Sequence, residues 1–547
     1  MSNIFSVETK FKTSENEIDY LEKDFGHFID NHFCVLSTPI LTNAGRYRNR
    51  PLSACTVPEI DLNDNNEELE SVINVFHEMG MGTGFSFDSL DNPIEKIISL
   101  NEIALRGAKS GRENRPVGNM GILSVYHPKI EDFIKLKITA DRQNIKWKFN
   151  LSVDIDENFI TSINNKSTYK LMNGKLKDAN EIFDLIVESA HKCGDPGLVY
   201  LDRLNRDNPV PAVGKYISTA PCAEVGLSPG EACQFGYINI ARFLKDDNNY
   251  DFEALQRLTH LLVRVLDNAL ELSLPNYPYL KTVEVMTAKR KIGIGICGVA
   301  DLLIKKRLPY DSMQAREYIS DILCFINFHS KKASYYLGKT RGSFGAMNLI
   351  IGNEHLETPS FIERKYGSFS SKIISKSDWN SLAAKIREEK CLRNATTIAL
   401  PPTGRSGLVI NASTGVEPLF SLVDYYGNIN KSLRQDLIAE GVWNNETIQN
   451  IKESGSIQNI DEISENIKRI YKTALEIEPI DHLKMVERLQ NFVDESISKT
   501  INLPEDISIE DTKEIYLKSY KLNLKGITIY RKNSRRKQPR KLSNNSK

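Results

Sequence analysis

The sequence predicts an α/β fold built largely on parallel strands. Short apolar runs with strand character, GTGFSF, GNMGILSV, GLVYL and TTIALPP, recur between Leu36 and about Phe420. Longer stretches with helical periodicity separate them, at residues 181–193, 252–274 and 314–338. This alternation is the pattern of strand–helix–strand units, whose crossovers leave the strands parallel and covered on both faces.

Around that core, residues 1–35 read as a polar, helical N-terminal cap. Residues 36–531 form the main α/β domain. Within it, 430–500 are rich in Asn, Glu, Ile and Lys and read as a mostly helical insertion, with helices at 462–475 and 482–493. Residues 513–531 read as a helix leading into the strand LKGITIY. The segment from 531 on, RKNSRRKQPRKLSNNSK, holds eight basic and no acidic residues, and 532–547 read as a disordered basic tail.

Composition narrows the function classes. The chain has 547 residues, of which 40% are hydrophobic, enough for a large core. Its 71 basic and 71 acidic side chains cancel, so no overall field favours nucleic acid or a membrane surface. No window approaches the length of apolar sequence that spans a bilayer. The N-terminus lacks the basic start and apolar run of a secretory signal. A cytoplasmic protein is expected. Its eight cysteines show no CxxC and no zinc spacing, so they do not read as a disulfide framework or a metal site.

Two glycine-rich stretches stand beside strands: GMGTGFSF at 80–87 and PPTGRSG at 401–407. Either could present backbone N–H groups to a phosphate, and either could answer a structural need for close approach. Cys222 lies in STAPCAEVGL, where the proline and small neighbours suggest a tight loop. If that segment is extended, period two puts Cys222 and Glu224 on one face, a thiol beside a carboxylate. Cys233, in EACQFGYINI, is within loop reach. Cys55 lies far upstream in RPLSACTVPEI.

The ordered set NAGRYRNRPLSACTV, GTGFSF, GNMGIL, FNLSV, GDPGLVYLDRLNRDNP, STAPCAE, EACQFGYINI, RKIGIGICGVADLL, RNATTIALPPTG, STGVEPLF and LKGITIYR resembles the catalytic subunit of ribonucleotide reductases, from about Thr38 to Arg531. It is most similar to the adenosylcobalamin-dependent branch. The resemblance implies a ten-stranded α/β barrel of two parallel five-stranded halves, with a central finger loop and peripheral helices. It places Cys222 at the radical cysteine, Glu224 at the general base, and Cys55 and Cys233 at the pair that ends as a disulfide. It places Thr38, Ser53, Ala54, Ala220, Pro402, Thr403, Gly404, Arg405 and Ser406 around the substrate. It implies a ribonucleotide substrate, adenosylcobalamin as radical source, and an external dithiol reductant, thioredoxin-like or a small thiol. It also allows a homodimer. The stretch matching the paired tyrosines of the oxygen-dependent branch reads Thr528-Ile529-Tyr530, with one tyrosine. No C-terminal glycine motif with a cysteine-bound zinc was found, so the glycyl-radical branch does not fit.

Four departures accompany the resemblance. Ala220 stands where the family has an asparagine that holds the ribose. The stretch between Phe87 and Gly118 is short, and its loop GRENRPVG is unusual, so altered or absent allosteric control is expected. No cysteine follows Cys391 in this sequence. Arg405 and Tyr237 replace small polar residues. Two other readings stay open on these grounds: a thiyl-radical enzyme that rearranges, epimerises or eliminates on a nucleotide sugar without net reduction, and a non-catalytic nucleotide-binding paralogue.

Overall fold

A computed structural model describes residues 1–46, 49–110, 116–142, 145–347, 350–351, 355–369 and 371–534. Most of the GRENRPVG loop and nearly all of the basic tail lie outside these residues, as does the side chain of Arg405.

The first half of the chain forms five parallel strands in chain order: Cys55–Thr56, Gly82–Ser86, Asn119–Ser124, Phe149–Asp154 and Gly197–Val199. Helices connect them. In Asn66–Glu78, the Asn65 side chain caps the backbone N–H groups of Glu67 and Glu68, and Leu69, Ile73 and Phe76 point inward. In Ala179–Cys193, Asp178 caps the start and Gly194, at a φ of 76°, ends the helix. Its Ile182, Phe183, Ile186, Val187 and Ala190 pack into the core.

The second half is looser in its pairing. Phe235–Asn239 runs parallel to Gly293–Cys297, with Cys34–Leu36 antiparallel on its other side. Single parallel bridges then join Ile294 to Ile398 and Leu400 to Ile497. Thr500–Leu503 lies parallel to Gly526–Arg531, which meets Gly197–Val199 antiparallel. Ala232–Cys233 pairs antiparallel with Cys55–Thr56. The TTIALPP segment thus contributes bridges and not a regular strand. The reason is a long-range contact: the Asp494 carboxylate accepts the N–H groups of Thr397 and Ile398, at 2.7 and 2.9 Å.

Two long helices, Phe252–Ser273 and Met313–Arg341, pack against each other outside the second half. The N-terminal residues dock onto them through Glu8, fully buried, which accepts from Arg264 at 2.8 Å and Asn268 at 2.9 Å and pairs with Arg341. In the 430–500 region, helices form at Lys431–Glu440, Asn445–Ser454, Glu465–Ile470 and Pro479–Gln490. The expected helix at 462–475 is cut to Glu465–Ile470, because the Glu476 carboxylate takes the Thr473 N–H and Leu419 takes that of Ala474. Among the described residues, no helix is long and apolar enough to cross a membrane.

Candidate functional site

A short hairpin, Ser218–Thr219 against Gly226–Leu227, carries the Cys222 segment. It runs along the strands Gly82–Ser86 and Asn119–Ser124. Two of the three glycines of GMGTGFSF, Gly82 and Gly84, permit this approach, while Gly80 turns the chain at a φ of 79° after the helix Asn66–Glu78. A β-carbon on Gly84 would sit 2.2 Å from the Thr219 carbonyl oxygen, and one on Gly82 would sit 2.9 Å from the Pro221 ring. Close approach is the structural need that Gly82 and Gly84 answer. The Ser218 hydroxyl donates to the Phe85 carbonyl at 3.2 Å.

Buried charges hold the root of the hairpin. Lys291 donates to the Gly226 carbonyl at 2.8 Å and pairs with Glu495 at 2.8 Å and Glu231 at 3.1 Å. Lys289 pairs with Glu231 at 2.8 Å and donates to Ser228 at 2.8 Å. Glu495 in turn accepts the Gly226 N–H at 3.3 Å. Burial pushes the Glu231 carboxyl up, but the two lysines outweigh it and draw it down to about 2.

At the tip the chain turns. Ala223 N–H donates to the Ala220 carbonyl at 2.9 Å, and Ala223 adopts a left-handed φ of 61°. The segment is therefore not extended, and the expected shared face of Cys222 and Glu224 is not formed. Cys222 is exposed, whereas Glu224 is 3% exposed. Cys222 lines a cavity of about 660 Å³, together with Pro221, Ala223, Ser152, Ile497, Asn502 and Tyr530 among others. Among the described residues, that lining does not include Glu224, Cys55 or Cys233.

Cys55 and Cys233 face each other across the antiparallel pair, both buried and both free of a disulfide. Directly opposed residues place their β-carbons about 4.5–5.5 Å apart, near the reach of a disulfide. The Cys233 thiol sits 3.7 Å from the Cys55 carbonyl oxygen. Burial pushes that thiol well up, and contact with Cys55 and the charge of Glu224 push the same way. Glu224 thus acts electrostatically on this pair. Ala220 is fully buried in the same apolar cluster, with Ala54, Cys55, Cys233 and Tyr237.

The PPTGRSG segment approaches from the other side. Thr38, at the start of Thr38–Asn43, lies 3.5 Å from the Ser406 hydroxyl. Ser406 belongs to the short helix Gly404–Val409, entered through Gly404 at a φ of 48°. Thr403 braces the turn, donating to Thr414 at 3.0 Å and accepting the Gly415 N–H at 3.1 Å. Pro402 and Gly404 are exposed, and Thr403 and Ser406 are buried. Tyr237, two strand positions beyond Phe235 and four beyond Cys233, donates from its hydroxyl to the Pro402 carbonyl at 3.5 Å. The Ser53 hydroxyl is engaged by Tyr277 at 2.5 Å and accepts from the Gln234 amide at 2.9 Å.

Comparison with known proteins identifies the family. The family described as ribonucleotide reductase, barrel domain, matches residues 91–530. The chain belongs to the ribonucleotide reductase family. It is 33% identical to a vitamin B12-dependent ribonucleoside-diphosphate reductase of Thermoplasma acidophilum, over 96% of this chain and 68% of that protein. It is 31% identical to a vitamin B12-dependent ribonucleoside-diphosphate reductase of Mycobacterium tuberculosis, over 93% of this chain and 70% of that protein. Its fold is that of a class Id ribonucleotide reductase alpha subunit from Actinobacillus ureae, with a TM-score of 0.75, 20% identity, and coverage of 97% of this chain and 92% of that one.

For a ribonucleotide reductase, two features of this site were not read from the sequence. One is the buried set Glu231, Lys289, Lys291 and Glu495. Its trace was visible as three charged residues, Lys289-Arg290-Lys291, flush against the apolar strand GIGIC. The other is Asn150, in FNLSV, whose amide donates to the Pro221 carbonyl at 2.7 Å.

Proposed function

We propose that this chain reduces ribonucleotides, ribonucleoside diphosphates foremost, to 2′-deoxyribonucleotides by thiyl-radical chemistry, with adenosylcobalamin as radical source. The observation that carries the reading is the division of labour around the hairpin. One exposed thiol, Cys222, opens on a large cavity, while a buried, directly opposed thiol pair lies under the charge of Glu224. The relatives' B12 dependence supports the cofactor. So does the opening of the cavity onto Cys222, which leaves the thiol accessible to a group bound there. Leu475, Ile497 and Ile527 offer it apolar surface, and Ser152, Asn502 and Tyr530 offer polar groups that would hold such a group. When bound, adenosylcobalamin supplies homolysis of a weak carbon–cobalt bond, which places an unpaired electron within reach of a thiol hydrogen.

The residues then divide the work. Cys222, as a thiyl, takes the 3′-hydrogen of the ribose and later returns it. An S–H and a ribose C–H bond are close in strength, so the exchange depends on contact distance. Glu224 accepts the 3′-hydroxyl proton, which helps expel the 2′-hydroxyl as water. Cys55 and Cys233 provide two electrons and the protons that go with them, ending as a disulfide that an external dithiol reopens. Thr38, Thr403, Gly404 and Ser406 receive the phosphates. Ala220 offers no side-chain donor to the ribose, so the sugar is held by its surroundings and by the phosphate end.

The strands also support a closed ten-stranded barrel. The order 55–56, 82–86, 119–124, 149–154, 197–199, 526–531, 497–503, 398–400, 293–297 and 232–239 returns to its start through the two single bridges and the Cys55–Cys233 pairing. The hairpin would then be its central finger.

The test is an incubation of the purified protein with adenosylcobalamin, dithiothreitol and each ribonucleotide. A 2′-deoxynucleotide formed with stoichiometric dithiol consumption is expected, and Cys222→Ala should abolish it. A changed sugar without dithiol consumption would replace reduction with rearrangement. Turnover surviving in Cys222→Ala would remove the radical assignment.

A further inference from the structure

The reaction depends on where the Cys222 sulfur stands, and the turn that carries it has two available forms. Residues 220–223 close through the Ala223 N–H to Ala220 carbonyl bond, with Pro221 and Cys222 as the two central residues. Cys222 is not among the residues with positive φ. The turn is therefore of the type I kind, in which both central residues keep negative φ. Its alternative, type II, differs by a flip of the peptide between Pro221 and Cys222. That flip reverses the Pro221 carbonyl and turns Cys222 to positive φ. Proline is compatible with both forms, so the ring alone does not choose.

Asn150 makes the choice. It lies on the strand Phe149–Asp154, in register with Met120, and its side chain lines the same cavity as Cys222. Its amide nitrogen donates to the Pro221 carbonyl at 2.7 Å, a bond that exists only in the unflipped turn. A carbonyl accepts and cannot donate, so the NH₂ end of the amide must face it. The Pro221 ring is seated from the other side in the recess left by Gly82 and Gly118, whose β-carbons would come within 2.9 and 3.2 Å of it. The root of the hairpin is fixed separately by Lys291 and Glu495. Asn150 therefore bears directly on the orientation of the Pro221–Cys222 peptide.

We infer that Asn150 is a positioning residue for the radical chemistry: it locks the fingertip turn and so sets where the Cys222 sulfur points between the cavity and the ribose. The inference rests on the reading of Cys222 above. A displacement of the sulfur by about 1 Å is enough to cost on the order of 100-fold in rate.

Asn150 faces the cavity and is exposed, so its replacement should leave folding intact. Asn150→Asp keeps the shape and exchanges the donor for an acceptor. Around neutral pH its kcat for ribonucleotide reduction should fall about 100-fold while KM changes less than about threefold. As pH is lowered, protonation of the introduced carboxyl restores an O–H donor, and kcat relative to the wild type should recover. Asn150→Ala should lose kcat with no such recovery. It also serves as control for the other titrating groups on the cavity wall, Asp195, Lys499, Tyr530 and Lys532. A second measurement needs no cofactor: the rate of iodoacetamide alkylation of Cys222, followed by peptide mass, should change severalfold in both variants and return toward wild type at low pH only in Asn150→Asp. Wild-type kcat in both variants, a loss carried by KM, or an unchanged alkylation rate would overturn the inference. If the wild-type protein reduces no ribonucleotide, the functional reading fails, and the alkylation measurement still decides the role of Asn150.

Discussion

The two halves of the sheet solve the same problem by different means. In the first, five parallel strands from Cys55 to Val199 pair through their backbones, in registers of two to six residues. Their faces are closed by apolar side chains such as Phe85, Ile122, Leu151 and Val153. In the second, the 397–400 and 495–498 segments touch their neighbours at single bridges, and buried ions take over the hydrogen bonding. Asp494 binds two backbone N–H groups and pairs with Lys331, both side chains fully buried. Lys291 joins Glu495 to Glu231. Lys525, drawn down to about 7 mainly by burial, reaches Asp207 at 3.0 Å and the carbonyls of Asp494 and Glu495. A backbone ladder is tolerant, since any side chain can ride on it. A buried ion network gains little net stability over apolar packing but admits one geometry. The half with that strict geometry is the one that carries the PPTGRSG turn and anchors the hairpin root.

The largest expected effect tests that contrast directly. Lys331→Met leaves Asp494 charged and buried without its cation, and should cost about 3–5 kcal/mol in urea unfolding. Thr83→Val, which removes the 2.6 Å bond to Asn119 in the first half, should cost only about 1–3 kcal/mol. Equal losses would erase the distinction between the halves.

Acid should separate them next. The Glu231 carboxyl is held down to about 2 in the folded chain, against an ordinary value of 4.5. A depressed carboxyl contributes stability that is present above about pH 4.5 and is lost as pH falls toward 2. Lys289, though burial draws it down, stays charged through this window and does not reverse the sign. Brief pepsin digestion at pH 3 should therefore cut around 397–410 and 495–503 before 82–124. First cuts in the earlier segment would place the weak half on the other side.

The smallest effect is at the fingertip. Ala223 holds a left-handed φ of 61°, which costs an L-residue roughly 1–2 kcal/mol. Ala223→Gly relieves this but gives back about 0.4–1 kcal/mol to the unfolded chain. A rise in thermal midpoint of a few degrees at most is expected, and a fall would show that the methyl group packs to advantage.

Much of the architecture could be read in advance, and the reasons differ by element. The helices at Phe252–Ser273 and Met313–Arg341 fall within a few residues of their periodic stretches, because long runs of good helix formers that begin at capping residues, Asp251 and Ser312, have few other solutions. Three first-half strands, Gly82–Ser86, Asn119–Ser124 and Gly197–Val199, lie within the apolar runs GTGFSF, GNMGILSV and GLVYL, whereas Cys55–Thr56 and Phe149–Asp154 are not marked by such a run. TTIALPP misled because a carboxylate about 97 residues away competes for its N–H groups, and no local pattern reports that. The shared face of Cys222 and Glu224 failed because the left-handed Ala223 ends the extended geometry, in a position where alanine gives no warning. The three-glycine run was ambiguous until Thr219 and Pro221 were seen against it. Cys55 and Cys233 were assigned through resemblance alone, and their opposition across two strands depends on a register that only the folded chain supplies.

The hairpin that bears Cys222 is stitched to residues from both ends of the chain: to Gly84 and Asn150 before it, and to Lys291, Glu495 and Ser496 after it. Synthesis runs from the N-terminus, so Gly84 and Asn150 emerge long before Glu495 and Ser496. Until then the fingertip has a seat but no fastening at its base, and the reactive sulfur cannot be aimed. Ordering of the hairpin thus waits on a residue 269 positions further along the chain, so the Cys222 segment and its anchor are joined late and by long-range contact.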